Sequence, residues 1–175
     1  MNRSIVATLL LAGTAAPTLA QTAPAAHKVE IKSPDGAAIG TATLIDAPRG
    51  VLINLEAKNL PPGWHGIHFH EKADCSDPKF EKAGSHVHGT TPAKHGLLNA
   101  DASDSGDLPN IHAGPDGTVT ASLYSTLVRL SKSDAAAPTL LDADGSALVI
   151  HANADDYTTQ PIGGAGARIA CAVIK

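Results

Sequence analysis

Nine histidines occur in this chain of 175 residues, and several recur at a fixed spacing. His68 and His70 lie two apart in the apolar run Trp64-His-Gly-Ile-His-Phe-His70, a spacing that turns both imidazoles to one face of an extended strand. His86 and His88 repeat it in a polar segment, His95 follows, and Asp104 and Asp107 bring carboxylates into the same segment. His151 closes a second apolar run. Strand and loop side chains converging at one end of a β-structure would offer four imidazole nitrogens in a tetragonal set, which suits Cu(II). A mixed set of His and Asp beside it would suit Zn. The competing reading is a scatter of surface and core histidines, and spacing by itself names no reaction.

Such side chains need a scaffold, and the sequence around them reads as strands and turns. Val29-Glu-Ile-Lys32 alternates apolar and polar residues, Ser33-Pro-Asp-Gly36 has turn chemistry, and residues 39–45 resume an extended pattern, which predicts a hairpin. Residues 51–57 alternate again before Leu60-Pro-Pro-Gly63 interrupts them. Asp116-Gly117 and Asp144-Gly145 each fall between β-like runs, as tight hairpin turns prefer. Residues 147–151 and 168–174 are short and apolar with β-branched side chains, as expected of core strands. With no sustained helical period after the first residues, the expected class is all-β, a sandwich or barrel. Residues 71–109 break the pattern, being long, polar and rich in Gly, Asp, Ser and His. Irregular segments beyond about 15 residues are uncommon unless functional or disordered; a disulfide and bound metal would order this one.

Met1-Asn-Arg-Ser precedes an apolar run, and Thr18-Leu-Ala20 offers small residues for cleavage, so residues 1–20 read as a signal peptide. Residues 21–26 read as a flexible leader and 27–175 as one domain. Pro17 interrupts a run already shorter than the roughly 20 apolar residues of a membrane anchor, so no membrane association is expected after cleavage. The formal net charge of −4 becomes −5 when Arg3 is removed. No basic stripe appears, which disfavours nucleic acid as a partner, while a local cationic funnel for a small anion remains compatible with a negative whole. Cys75 and Cys171 are the only cysteines. In an exported chain they read as one disulfide, against two free thiols as the alternative. Closing so long a loop would stabilise the fold by at most about 4 to 5 kcal/mol in chain-entropy terms.

Gly66-Ile-His-Phe-His-Glu71, Ala83-Gly-Ser-His86, Lys94-His-Gly96, Gly106-Asp-Leu-Pro109, His151 and Gly164-Ala-Gly-Ala-Arg-Ile-Ala-Cys171 together, and in this order, resemble the Cu/Zn superoxide dismutase family. The likeness covers nearly all of 27–175, and Cys75, five residues after His70, is similar to the bacterial, periplasmic branch. The resemblance implies a Greek-key β-sandwich, or flattened barrel, with long metal-binding loops, located in the periplasm. It implies copper on His68, His70, His86 and His151, with the imidazolate of His86 bridging to zinc. It also implies a Cys75 to Cys171 disulfide, a guiding guanidinium at Arg168, and a carboxylate at Asp155 that orients His68 and His95. Superoxide would be the substrate: copper would cycle between Cu(II) and Cu(I), oxidising one superoxide to oxygen and reducing the next to hydrogen peroxide. His86 would leave Cu(I), take a proton and return it. The alternative is a periplasmic copper- and zinc-binding protein without significant turnover. Monomer and homodimer both stay open, because the family's branches pair through different surfaces.

The family's zinc site has three histidines and one aspartate, and this chain carries Asp104 where the third histidine is expected. Three arrangements follow. Zinc is held by His86, His95, Asp104 and Asp107; or His88 takes the missing place; or no zinc binds and the disulfide and hydrogen bonds hold the loop. Among the other histidines, His65 is expected in a hydrogen-bonded structural role, and His27 and His112 in solvent. Lys94 is a weak candidate for steering charge.

Overall fold

The computed structural model describes residues 25–131 and 137–175. The expected signal peptide, and the leader up to residue 24, lie outside the described residues. Strands β1 (Ala26–Lys32) and β2 (Ala38–Ala47) form the hairpin read from the alternation, with Ile31 opposite Gly40 and the turn closed from Gly36 N to Ser33 O at 2.8 Å. Strand β3 (Gly50–Ala57) continues the meander. Its residues 51, 53 and 55 are buried while Asn54 and Glu56 are exposed, the period of a strand with one face on the core. Short strand β4 (Gly63–His65) leads through Gly66 into β5 (Ile67–His70), and β6 (Ile111–Ala113) leads into β7 (Val119–Ser125). Strands β8 (Ser146–His151) and β9 (Arg168–Ile174) complete the set.

The seven longer strands make one sheet in the order β5-β8-β9-β1-β2-β3-β7, antiparallel throughout, and β4 pairs with β6 in a ribbon. Because β4 runs into the edge strand β5 and β6 into the edge strand β7, the ribbon links the two edges of the curled sheet, which gives the flattened barrel. Ile31, Leu44, Ile53, Leu55, Ile67, Phe69, Leu148, Ile150 and Ile174 fill its interior and are essentially fully buried. Burying each stabilises the fold by about 1.5–3 kcal/mol before conformational entropy is subtracted. All six residues of β8 are buried, and its outer-facing Ala147 and Val149 pack against Phe80 and Ala83 of the disulfide-linked loop and against Cys171 of β9. That second cover explains why residues 147–150 of β8 are continuously apolar rather than alternating.

Two details depart from the sequence expectations. Asp116-Gly117 does turn the chain between β6 and β7, with Gly117 N bonded to Gly114 O at 2.9 Å. Asp144-Gly145 closes no hairpin among the described residues: it feeds β8, whose neighbours are β5 and β9, and the described residues before it include an isolated parallel bridge from Arg129 to Thr139. His27, expected in solvent, is half-buried on β1. Among the described residues no helix is long and apolar enough to cross a membrane.

Candidate metal centre

The outer face of β5 and β8 carries the site. With Ile67 and Phe69 committed to the core, the two-residue period sends His68 and His70 outward, where the long loop covers them completely. His151 ends the adjacent strand β8. The loop returns along the free edge of β5: Phe69 N donates to Gly106 O and Val87 N donates to Phe69 O, both at 2.9 Å. These contacts bring His86 opposite His70 and Asp107 opposite His68. Gly106 makes the approach feasible, since a Cβ there would lie 2.3 Å from Phe69 O. A disulfide joins Cys75 to Cys171 across 96 residues and pins the start of the loop to β9.

His68, His70, His86 and His151 each direct one ring nitrogen into a common space, with the four candidate ligand atoms within 4.8 Å of one another. Those atoms, His68 Nδ1 and the Nε2 of His70, His86 and His151, are buried without a hydrogen-bond partner. The opposite nitrogens are all engaged. His68 Nε2 meets Asp155 Oδ2 at 2.8 Å, His70 Nδ1 meets Gly84 O at 2.9 Å, His151 Nδ1 meets Gly166 O at 3.1 Å, and His86 Nδ1 meets Asp104 Oδ2 at 2.9 Å. An unpaired buried polar atom costs about 1–3 kcal/mol, and four aimed at one point fit a cation that prefers imidazole nitrogen. Burial, with repulsion from neighbouring cationic groups, drives the pKa of His70 well below its ordinary value and that of His151 down to about 3. Burial also lowers that of His68. These imidazoles are therefore neutral, the form a metal requires.

A second group, His86, His95, Asp104 and Asp107, shares His86 with the first. His95 Nδ1 lies 2.7 Å from Asp107 Oδ1, and Asp107 Oδ2 accepts a hydrogen bond from Gly96 N at 2.7 Å. Burial works against a charged His95, but Asp107 and Asp155 outweigh it and raise its pKa to about 10. Burial likewise opposes an ionised Asp107, and His86 and His95 still hold its pKa down to about 2. Two aspartates and two histidines at this spacing fit a zinc-type cation. Asp155 connects the groups, with Oδ2 on His68 and Oδ1 on His95 Nε2 at 3.0 Å. Its pKa is held well below the carboxylate range, where the bonds from His68 and His95 overcome the opposing effect of burial.

The geometry thus brings together every metal-ligand candidate named from the sequence except His88. That ring turns Nδ1 onto the carbonyl of His86 at 2.7 Å and stays outside the four-residue group. His65 has the structural position expected, buried with Nδ1 2.8 Å from His151 O and Nε2 2.7 Å from Pro61 O. His112 is exposed against Trp64, and Lys94 is paired with Asp101 at 3.1 Å. The Arg168 guanidinium is fixed by two carbonyls, Nη1 to Phe80 O at 2.5 Å and Nη2 to Gly84 O at 2.7 Å. It lines a cleft of about 490 Å³ together with His86, His88, His95 and Asp104. Sequence reasoning missed Asn110, whose side chain bonds the Asp155 backbone through both its amide nitrogen and its oxygen, and Gln160, which does the same for His95. It also missed the carbonyls of Gly84 and Gly166. Only the short distance of Asn110 from the Gly106-Asp-Leu-Pro109 motif offered a signal.

A family model described as copper/zinc superoxide dismutase matches residues 38–174. A superoxide dismutase [Cu-Zn] of Caulobacter vibrioides is 60% identical over 145 residues, covering 83% of each chain. One from Aquifex aeolicus is 42% identical over 147 residues, covering 83% of this chain and 84% of its own. Among solved structures, a SOD-like protein from Bacillus subtilis superposes with a TM-score of 0.78 at 36% identity, covering 86% of this chain and all of that one. The Cu/Zn superoxide dismutase from Brucella abortus gives a TM-score of 0.68 at 28% identity, again over 86% of this chain and 100% of its own. With the matched region spanning both histidine groups and every strand from β2 to β9, the chain belongs to the copper/zinc superoxide dismutase family.

Proposed function

We propose that the chain is a superoxide dismutase that holds copper on His68, His70, His86 and His151 and zinc on His86, His95, Asp104 and Asp107. The observation that carries this reading is the convergence of four buried ring nitrogens without protein partners, each ring held from behind by a hydrogen bond. Copper supplies the one-electron chemistry by which one superoxide is oxidised to oxygen and the next reduced to hydrogen peroxide. The residues supply the rest. His86, belonging to both groups, holds a proton at Nε2 in one half of the cycle and returns it in the other. Asp155, gripping His68 and His95, keeps both rings oriented through the change of charge. The loop and its disulfide exclude bulk water from the four histidines.

Arg168 draws in the anion. Its guanidinium is half-buried, permanently charged and already ordered by Phe80 O and Gly84 O, so it loses little freedom on meeting a small anion. Arg168→Ala is expected to lower the rate constant with superoxide by about tenfold or more and to weaken its dependence on ionic strength, with Arg168→Lys falling between. An unchanged rate in the alanine variant would remove Arg168 from the mechanism.

We further propose export to the periplasm with cleavage after Ala20, supported by the charge, apolar run and small residues of the first 20 positions. Protein recovered from the periplasm is expected to begin at Gln21. An N-terminus retaining Met1 would contradict this.

A further inference from the structure

The cleft lined by Arg168 reaches the two groups unequally. Of the first group it touches only the shared His86, while His86, His95 and Asp104 of the second all line it. The second group is therefore the one whose side chains face an open path to the surface, and Asp104 presents a carboxylate along it. His88 stands on the same wall, half-exposed, with Nδ1 fixed on the carbonyl of His86. This fixes the ring while leaving Nε2 without a hydrogen bond among the described residues, and the backbones of His88 and Asp104 pair directly in an isolated bridge. A neutral imidazole with its second nitrogen engaged by a carbonyl is the usual arrangement of a metal-binding histidine. Yet His88 is too far from the other donors to complete either group.

We propose that His88 is a capture ligand for the second metal: a divalent cation of the zinc type enters through this cleft, binds transiently at His88 Nε2, and passes to Asp104 and then to the full set of His86, His95, Asp104 and Asp107. The backbone pairing of His88 and Asp104 puts donor and acceptor side by side, and the carboxylates of Asp104 and Asp107 attract the cation inward. Arg168 on the same cleft opposes a cation, which gives a ligand at the entrance something to offset. A residue that only relays the ion lowers the barrier in both directions and leaves the equilibrium alone. This inference rests on the proposed zinc ligand set.

The test follows zinc leaving the fully metallated protein for an excess of the chromophoric chelator 4-(2-pyridylazo)resorcinol, and zinc re-entering the zinc-free protein so obtained. In His88→Ala both rates are expected to fall by about tenfold, the change that ~1.4 kcal/mol in a barrier produces, with zinc affinity at equilibrium unchanged. A second variant, Ala93→Phe, fills the cleft wall and keeps His88; it is expected to slow both directions as well. Unchanged rates in both variants would overturn the proposal. So would a loss of affinity in His88→Ala, which would make His88 a standing ligand. The zinc content of the unaltered protein separately tests the ligand set: one zinc per chain supports it, and none would refute that set whatever the variants do.

Discussion

Asp155→Asn will lower zinc affinity by about 10- to 100-fold, the usual effect of removing the partner that orients a metal-binding histidine. The carboxylate grips His68 and His95 with separate oxygens at 2.8 and 3.0 Å, and an amide of the same size accepts at only one of them. The deficit also has a pH signature. In the metal-free protein His95 keeps its extra proton to about pH 10, so at neutral pH zinc must displace a proton, and affinity rises with pH until that value is reached. Losing one of its two carboxylates lets His95 release the proton at lower pH, which partly offsets the loss of orientation. The gap between variant and native protein should therefore be narrow in acid and grow to its full size as the pH approaches about 10. Zinc affinities measured across that range in the two proteins check this. Equal affinities near pH 10 would show that Asp155 does not orient the zinc ligands.

The second large effect is expected from the disulfide. Replacing Cys75 and Cys171 together by serine removes a 96-residue cross-link and should destabilise the metal-free protein by about 2 to 5 kcal/mol. The consequence reaches the chemistry through one carbonyl. Gly84 O accepts from both Arg168 Nη2 and His70 Nδ1, and the loop that presents it is packed on β8 through Phe80 and Ala83 and tied to β9 at Cys171. Freed from β9, this loop no longer fixes either the guanidinium or the ring, so the rate with superoxide should fall along with stability. Urea unfolding of the metal-free proteins measures the first effect. A difference below about 1 kcal/mol, the scale of a single hydrogen bond, would mean that packing alone holds the loop.

Where a side chain's role follows from its own position in a strand, the sequence shows it. The two-residue spacing of His68 and His70, the alternation along β3 and the turn after Lys32 all survive in the structure, because period and turn chemistry are local properties. The departures come from contacts made at long range. Asp144-Gly145 has the composition of a hairpin turn, yet β8 is claimed by β5 and β9. Nothing in the spacing of Asp104 and His88 decides which one joins His86, His95 and Asp107; the ring of His88 is turned onto the carbonyl of His86 by a bond that its residue type does not announce. The carbonyls of Gly84 and Gly166, which hold His70 and His151 from behind, belong to the backbone and leave no trace in a list of reactive side chains. The family resemblance supplied what local reading lacked at Asp155 and Arg168, whose partners His68, His95, Phe80 and Gly84 lie 60 to 88 residues away along the chain.

On the proposed function these histidines form a fast catalytic centre and not a metal store, even with Asp104 in the proposed zinc set. The most direct measurement is the decay of superoxide catalysed by the copper- and zinc-loaded mature chain, residues 21–175, read as a second-order rate constant. A value approaching the diffusional range, on the order of 10⁸ to 10⁹ M⁻¹ s⁻¹, is expected. Decay no faster than that caused by the same concentration of free copper would contradict it, and would leave a metal-binding barrel without turnover.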